Sequence, residues 1–126
     1  MPREPISTSQ APSSPLFSQG VKAGPHVFVS GMTGADPATG ALVGPTVQLQ
    51  LRQALANCRA VLDAGGASLD DVVEVGILLA DPDDFVGLNE EYARWFPIDP
   101  PARYVARLGP AVRGLLVSVR MTAVTG

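Results

Sequence analysis

Few residues in this chain carry groups that can do chemistry at neutral pH. There is one histidine, His26, and one cysteine, Cys58. A metal site needs several His, Cys or carboxylate ligands at close spacing, and these two sit on different segments, so no metal is expected. A catalytic dyad or triad would need His26 as its base, yet it follows Gly24-Pro25 at the edge of an extended run, the setting of a turn or surface histidine. The glycines between residues 31 and 44 match neither GxGxxG nor a GKS/GKT pattern after a strand, so they do not read as a phosphate cradle. What remains is Arg103. It opens an extended run directly after Pro100-Pro101-Ala102. A guanidinium fixed on a rigid strand can hold a carboxylate through two parallel hydrogen bonds and stays charged at any physiological pH. On spacing alone, the commoner role of such an arginine is a plain surface residue at a strand end.

The elements that must position Arg103 can be read from periodicity. Phe17 to Val21 and His26 to Ser30 are two short extended runs joined by Lys22-Ala23-Gly24-Pro25, which predicts a hairpin. Residues 31–44, with four glycines and an Asp36-Pro37 step, predict a loop. From Thr46, apolar residues recur every three or four positions (Val47, Leu51, Leu55, Cys58, Leu62) until Gly65-Gly66 stops the pattern. This is a first amphipathic helix, and Cys58 on its apolar stripe reads as a core thiol. Val72 to Leu79 is a β-branched strand. Asp81-Pro82-Asp83-Asp84 supplies a cap, a first-turn proline and acids for a second helix marked by Phe85, Leu88, Tyr92, Trp95 and Phe96. Asn89 shares a face with Phe85, Tyr92 and Phe96, so it needs a partner.

Arg103 to Leu108 is extended, and Leu115 to Val124 alternates apolar and polar residues as a strand should. If these two strands form a hairpin around 109–112, Arg103 faces Ser118 across the pair and on the same side. The predicted order is β-β-α-β-α-β-β, an α+β fold with both helices on one face of a mixed sheet. The other face then needs a cover, and association with further copies is the simplest one.

The 126 residues suit one domain, read here as 1–126 with residues 1–14 an extended N-terminal segment. Apolar residues make up 46% of the chain but lie in short runs, so no membrane association is expected. No apolar h-region follows the N-terminus, which points to a cytoplasmic protein. A net charge of −3, a pI near 4.9 and no basic cluster make nucleic acid an unexpected partner.

Several stretches resemble the Rid (RidA, YjgF) family of imine and enamine deaminases. They are 14–21 (SPLFSQGV), Val29-Ser30-Gly31, 52–57 (RQALAN), 66–73 (GASLDDVV), Asp84-Phe85 with Asn89, Tyr92 and Phe96, and most specifically Pro101-Ala102-Arg103. The resemblance spans about Ser14 to Val124. It implies a chorismate-mutase-like fold, a homotrimer with clefts between subunits, and no cofactor. It also implies hydrolysis of 2-aminoacrylate-type enamines or their imines to 2-keto acids and ammonia. On that resemblance Arg103 binds the substrate carboxylate, while Phe17, Gly31, Asn89 and Val105 line the pocket. Two departures stand out. The family usually has Glu-x-Glu where this chain has Ser118-Val119-Arg120, leaving Ser118 as the group to orient water, and Phe17 replaces a common tyrosine. Two alternatives follow: a non-catalytic trimer that binds a small carboxylate, or a member acting on a larger or aromatic enamine. Arg120 in place of a glutamate either adds a second anion contact or pairs with an acid across the trimer, and the pair is the favoured expectation.

Overall fold

The computed structural model describes residues 2–126. In chain order the elements are β1 (Glu4–Ile6), β2 (Gly20–Ala23), β3 (His26–Thr33), α1 (Val47–Ala64), β4 (Val72–Leu79), α2 (Phe85–Trp95), β5 (Ala102–Arg107) and β6 (Val117–Val124). One six-stranded sheet runs in the order β1-β2-β3-β6-β4-β5. Only β4 and β5 pair in parallel; the other neighbours are antiparallel. The α+β class, the two helices and the mixed sheet are those expected from the sequence.

Helix α1 forms where the apolar spacing predicts. The Thr46 side chain accepts from the Leu49 amide at 3.2 Å, and Gly66, at φ 81°, turns the chain out of the helix. There the Ala67 amide donates to Leu62 O and the Gly66 amide to Asp63 O, the paired bonds of a glycine-stopped helix end. Leu51, Leu55, Cys58, Val61 and Leu62 bury one face against Val27, Val29, Val75, Ile77, Val119 and Met121 of the sheet. Cys58 is fully buried, and burial pushes its thiol pKa up, so it is a packing group and not a nucleophile.

Three expectations need correction. The strand predicted from Phe17 begins only at Gly20, and Phe17 itself makes an isolated bridge with Ser14 in the preceding turn. Gly31, expected in a loop, lies in β3, which continues to Thr33 across a bulge between Val29 and Met32. That bulge shifts which residues face the helices, the usual consequence of one extra residue in a ladder.

The third correction matters most. The last two strands do not form a hairpin, because α2 is the crossover of a parallel β4-α2-β5 unit and leaves β5 on the outer edge of β4. The chain must then travel back through residues 108–116 to insert β6 between β3 and β4. Gly109-Pro110 serves that long connection and not a tight turn. In register, Arg103 lies beside Val75, which lies beside Met121, both buried under the helices. Ser118 lies beside Leu78 on one flank and Thr33 on the other, on the opposite face. Arg103 and Ser118 therefore point to opposite sides of the sheet, not the same one.

The helices are joined by a buried acid. Glu91 of α2 accepts from Arg52 Nη2 at 3.0 Å and from Trp95 Nε1 at 3.0 Å, and the guanidinium holds its carboxyl below the ordinary range. A depressed carboxyl pKa stabilises the fold at pH values above the unfolded-state pKa, and that stabilisation fades as pH falls through the folded-state value. We expect Glu91→Gln to lower the thermal midpoint by a few degrees at neutral pH. The gap from wild type should close in acid, as followed by circular dichroism across a pH series. A gap that stays constant down to strongly acidic pH would refute this role for the charge.

Candidate active site

The candidate site residues fall into two separate groups, each one half of a candidate site. The first lies under α2 at the sheet edge. Arg103, half-buried on β5, donates from Nη1 to Asn89 Oδ1 at 2.9 Å. Its Cζ stands 4.8 Å from the centre of the Tyr92 ring, and Phe96 backs that ring at 5.0 Å. Asn89 and Tyr92 are three apart on α2, so they project together toward the strand. Both partners of the guanidinium are neutral, and among the described residues no carboxylate lies within ion-pair distance of it. A cation held by an amide oxygen and a π face keeps donors and charge available for an anion. Val105, two residues along, projects to the same side as Arg103 and packs against the core.

Tyr92 went unnoticed as a partner of Arg103 in the sequence, although its spacing from Asn89 was the available signal. It is 7% exposed, and its Oη is buried without a hydrogen-bond partner among the described residues. Burial raises the phenol pKa against the opposing pull of Arg103, so the ring stays neutral beneath the guanidinium.

The second half lies on the uncovered face where β3 meets β6. Ser118 and Thr33 are register partners, and a Cβ built on Gly31 would stand 3.2 Å from Ser118 Oγ. Only a residue without a side chain leaves the backbone there open to an incoming group. The strand end is pinned from α1: Asn57 Nδ2 donates to Thr33 O and to Ala35 O, both at 2.9 Å. Gln50 reaches the other side, donating to Gly114 O and accepting from the Leu116 amide just before β6. The bulged residue Ser30 is tied to the Phe17 turn, since its Oγ donates to Ser18 O. Phe17 is 46% exposed in that turn.

Farther along β6, Arg120 pairs with Glu74 of the same chain at 3.3 Å, where an acid from another copy was expected. Its neighbour in register is Gly76, over which the Tyr104 ring lies: a Cβ at Gly76 would come within 2.5 Å of Tyr104 Oη. His26 stacks on Phe28 with ring centroids 6.0 Å apart, at the β2–β3 turn and in neither half. Among the described residues, no three His, Cys, Asp or Glu side chains gather as a metal-binding set, and no helix is long and apolar enough to cross a membrane.

Arg103, Asn89 and Val105 are thus brought together, as are Gly31 and Ser118, and the sheet separates the two groups. Residues 8–125 match the family model described as Endoribonuclease L-PSP. The chain belongs to the Rid (YjgF) family. Among Rid relatives, a mouse protein named 2-iminobutanoate/2-iminopropanoate deaminase is 37% identical, over 98% of this chain and 93% of its own. The crystal structure of RidA from the Antarctic bacterium Psychrobacter superposes with a TM-score of 0.89 at 33% identity, covering 96% of this chain and 98% of that one. The structure of E. coli TdcF with bound serine gives a TM-score of 0.90 at 29% identity, covering 98% and 99%.

If Tyr92 serves as a ring under Arg103 and not through its hydroxyl, Tyr92→Phe should leave the urea midpoint unchanged or raised. Tyr92→Leu should cost about 1–3 kcal/mol of stability and so lower that midpoint, from lost packing and lost ring–cation attraction. Equal losses in both variants would show that the hydroxyl has a partner after all.

Proposed function

We propose that the chain hydrolyses reactive 2-imino acids, or the enamines in equilibrium with them, to 2-keto acids and ammonia. The observation that carries this is the half-buried Arg103 guanidinium with only neutral partners, Asn89 and Tyr92. Relatives support it: the mouse Rid protein is named for this reaction on two short imino acids, and TdcF binds serine, a small amino acid bearing a carboxylate.

The substrate carboxylate docks on Arg103, which fixes C2 of the imino acid in place. Water adds to C2 of the protonated C=N bond, giving a carbinolamine. One proton of the added water then moves from oxygen to nitrogen, the C–N bond breaks, and the remaining hydroxyl proton passes to the departing ammonia, so that the products are the 2-keto acid and ammonium. Because the iminium already carries positive charge, attack by water needs orientation more than a strong base. The Ser118 hydroxyl can accept a hydrogen bond from that water and hand on a proton, but it cannot hold the proton as a carboxylate would.

Since Arg103 and Ser118 lie on opposite faces of the sheet, one chain cannot bring both to a single substrate. The working site is a cleft between copies, with Arg103, Asn89 and Val105 from one and Gly31, Ser118 and Phe17 from the next, in a homotrimer. The uncovered face, with Phe28, Tyr104 and Val124 exposed on it, supplies apolar surface for the association. The endoribonuclease named in the family description finds less support, because His26 is the only histidine and belongs to neither half of the site.

Keto-acid release from imino acids made in situ by an amino-acid oxidase tests the reading. Arg103→Ala should reduce kcat/KM by about 30-fold or more, the usual cost of removing one partner of a buried charge contact. Ser118→Glu should raise kcat. No acceleration by the wild-type protein on any imino acid would replace the hydrolase with a trimer that only binds carboxylates. Sedimentation should give about three times the 13.1 kDa chain mass. A fully active monomer would refute the shared cleft.

A further inference from the structure

The carboxylate end of the site runs into an apolar groove. Arg103 and Val105 project from the same side of β5, roughly 7 Å apart along the strand. Asn89 and Phe85 are one turn apart on α2, on one helix face. The contacting pair Arg103 and Asn89 is therefore followed, along strand and helix together, by the pair Val105 and Phe85. Beside them is a groove of about 400 Å³ lined by Leu79, Pro82, Phe85, Val105, Ala106 and Arg107. Its walls are hydrocarbon, and Phe85 is left 44% exposed at its side. Arg107 is the one charged residue of its lining, and Asp81 and Asp83 adjoin the lining residue Pro82 in sequence. The Asp81–Asp84 turn is crowded with carboxylates, enough that Asp84 is held above its ordinary range by burial and by Asp81 and Asp83. A second carboxylate on a substrate would meet repulsion there.

We infer that this groove is the side-chain subsite of the enzyme, and that it favours imino acids with branched aliphatic or aryl side chains over the hydrogen- or methyl-bearing ones. The inference rests on the proposed docking of the carboxylate at Arg103. With that end fixed, a side chain on C3 and beyond extends along β5 toward Val105 and Phe85. A methyl group leaves nearly all of the groove unfilled, while an isobutyl or benzyl group covers its apolar walls. Each methylene taken out of water is worth about fourfold in affinity, and Arg107 at the rim can stack on an aryl ring.

The experiment compares kcat/KM for the imines formed from leucine, phenylalanine and alanine, using the full chain as it assembles in solution. Calorimetric binding of 4-methyl-2-oxopentanoate and pyruvate runs in parallel. The wild type should favour the leucine imine over the alanine imine, and 4-methyl-2-oxopentanoate over pyruvate, by tenfold or more. Phe85→Ser and Val105→Asn, each checked for folding by circular dichroism, should bring both ratios close to one. Hydrolysis of the alanine imine with no preference for leucine, or ratios unchanged in both variants, overturns the subsite and leaves the deaminase reading standing. A binding preference that Phe85→Ser abolishes, without turnover of any imine, supports the subsite and refutes hydrolysis instead. Absence of both turnover and Arg103-dependent binding overturns the two together.

Discussion

β6 lies between β3 and β4, and the sheet cannot close without it. Its two neighbours are parallel to each other and make no ladder of their own, so every hydrogen bond across the middle of the sheet passes through residues 117–124. The core depends on the same strand. Val117, Val119, Met121 and Ala123 are fully buried beneath the helices, and Cys58 Sγ lies 3.6 Å from Val119 O. The alternate residues, Ser118, Arg120 and Thr122, face the uncovered side. One strand thus supplies the centre of the core on one face and half of the candidate site on the other. Buried amides on α1 fix where it starts and what it meets, because Gln50 grips Leu116 and Asn57 grips the end of β3.

The other half of the site follows from the choice of partners for Arg103. An arginine paired to a carboxylate is already neutralised, and an incoming anion would have to displace that partner. Here the guanidinium is oriented by an amide oxygen and an aromatic face, which constrain its plane without cancelling its charge. The contrast with Arg52 and Arg120 is instructive, since those two are matched to Glu91 and Glu74 and serve to join elements. Position on the parallel edge strand, facing α2, is what separates Arg103, with its neutral partners, from the two ion-paired arginines.

Much of this was legible in the residues. The spacing from Val47 to Leu62, bounded by Thr46 and Gly65-Gly66, fixes α1 almost to its ends, and the alternation from Leu115 to Val124 marks β6, which starts two residues later at Val117. Arg103 as the candidate anion-binding group and the need of Asn89 for a partner were also readable, and the two side chains hydrogen-bond to each other. What the residues do not disclose is pairing between distant segments. Gly109-Pro110 has the same local chemistry whether it closes a hairpin or begins a long return, so the position of β5 beyond β4 stayed hidden. That single unknown put Ser118 on the wrong side of the sheet from Arg103. It also concealed the contact between Arg103 and Tyr92, which exists only because α2 is the crossover into β5. The bulge that brings Gly31 beside Ser118 was invisible for a related reason: a bulge is a property of a pair of strands, and no one segment announces it.

The Tyr104 ring lying across Gly76 has a consequence for how this sheet can change over generations. The two positions are register partners on adjacent parallel strands, and the space a side chain at 76 would need is already filled by the ring. Neither site is free to drift alone. A larger residue at 76 becomes tolerable only in a lineage that has first lost the ring at 104, while loss of the ring first uncovers a bare strip of backbone. Substitutions at these positions should therefore travel as a pair through descent, with the order of the two steps decided by which intermediate the exposed face can bear.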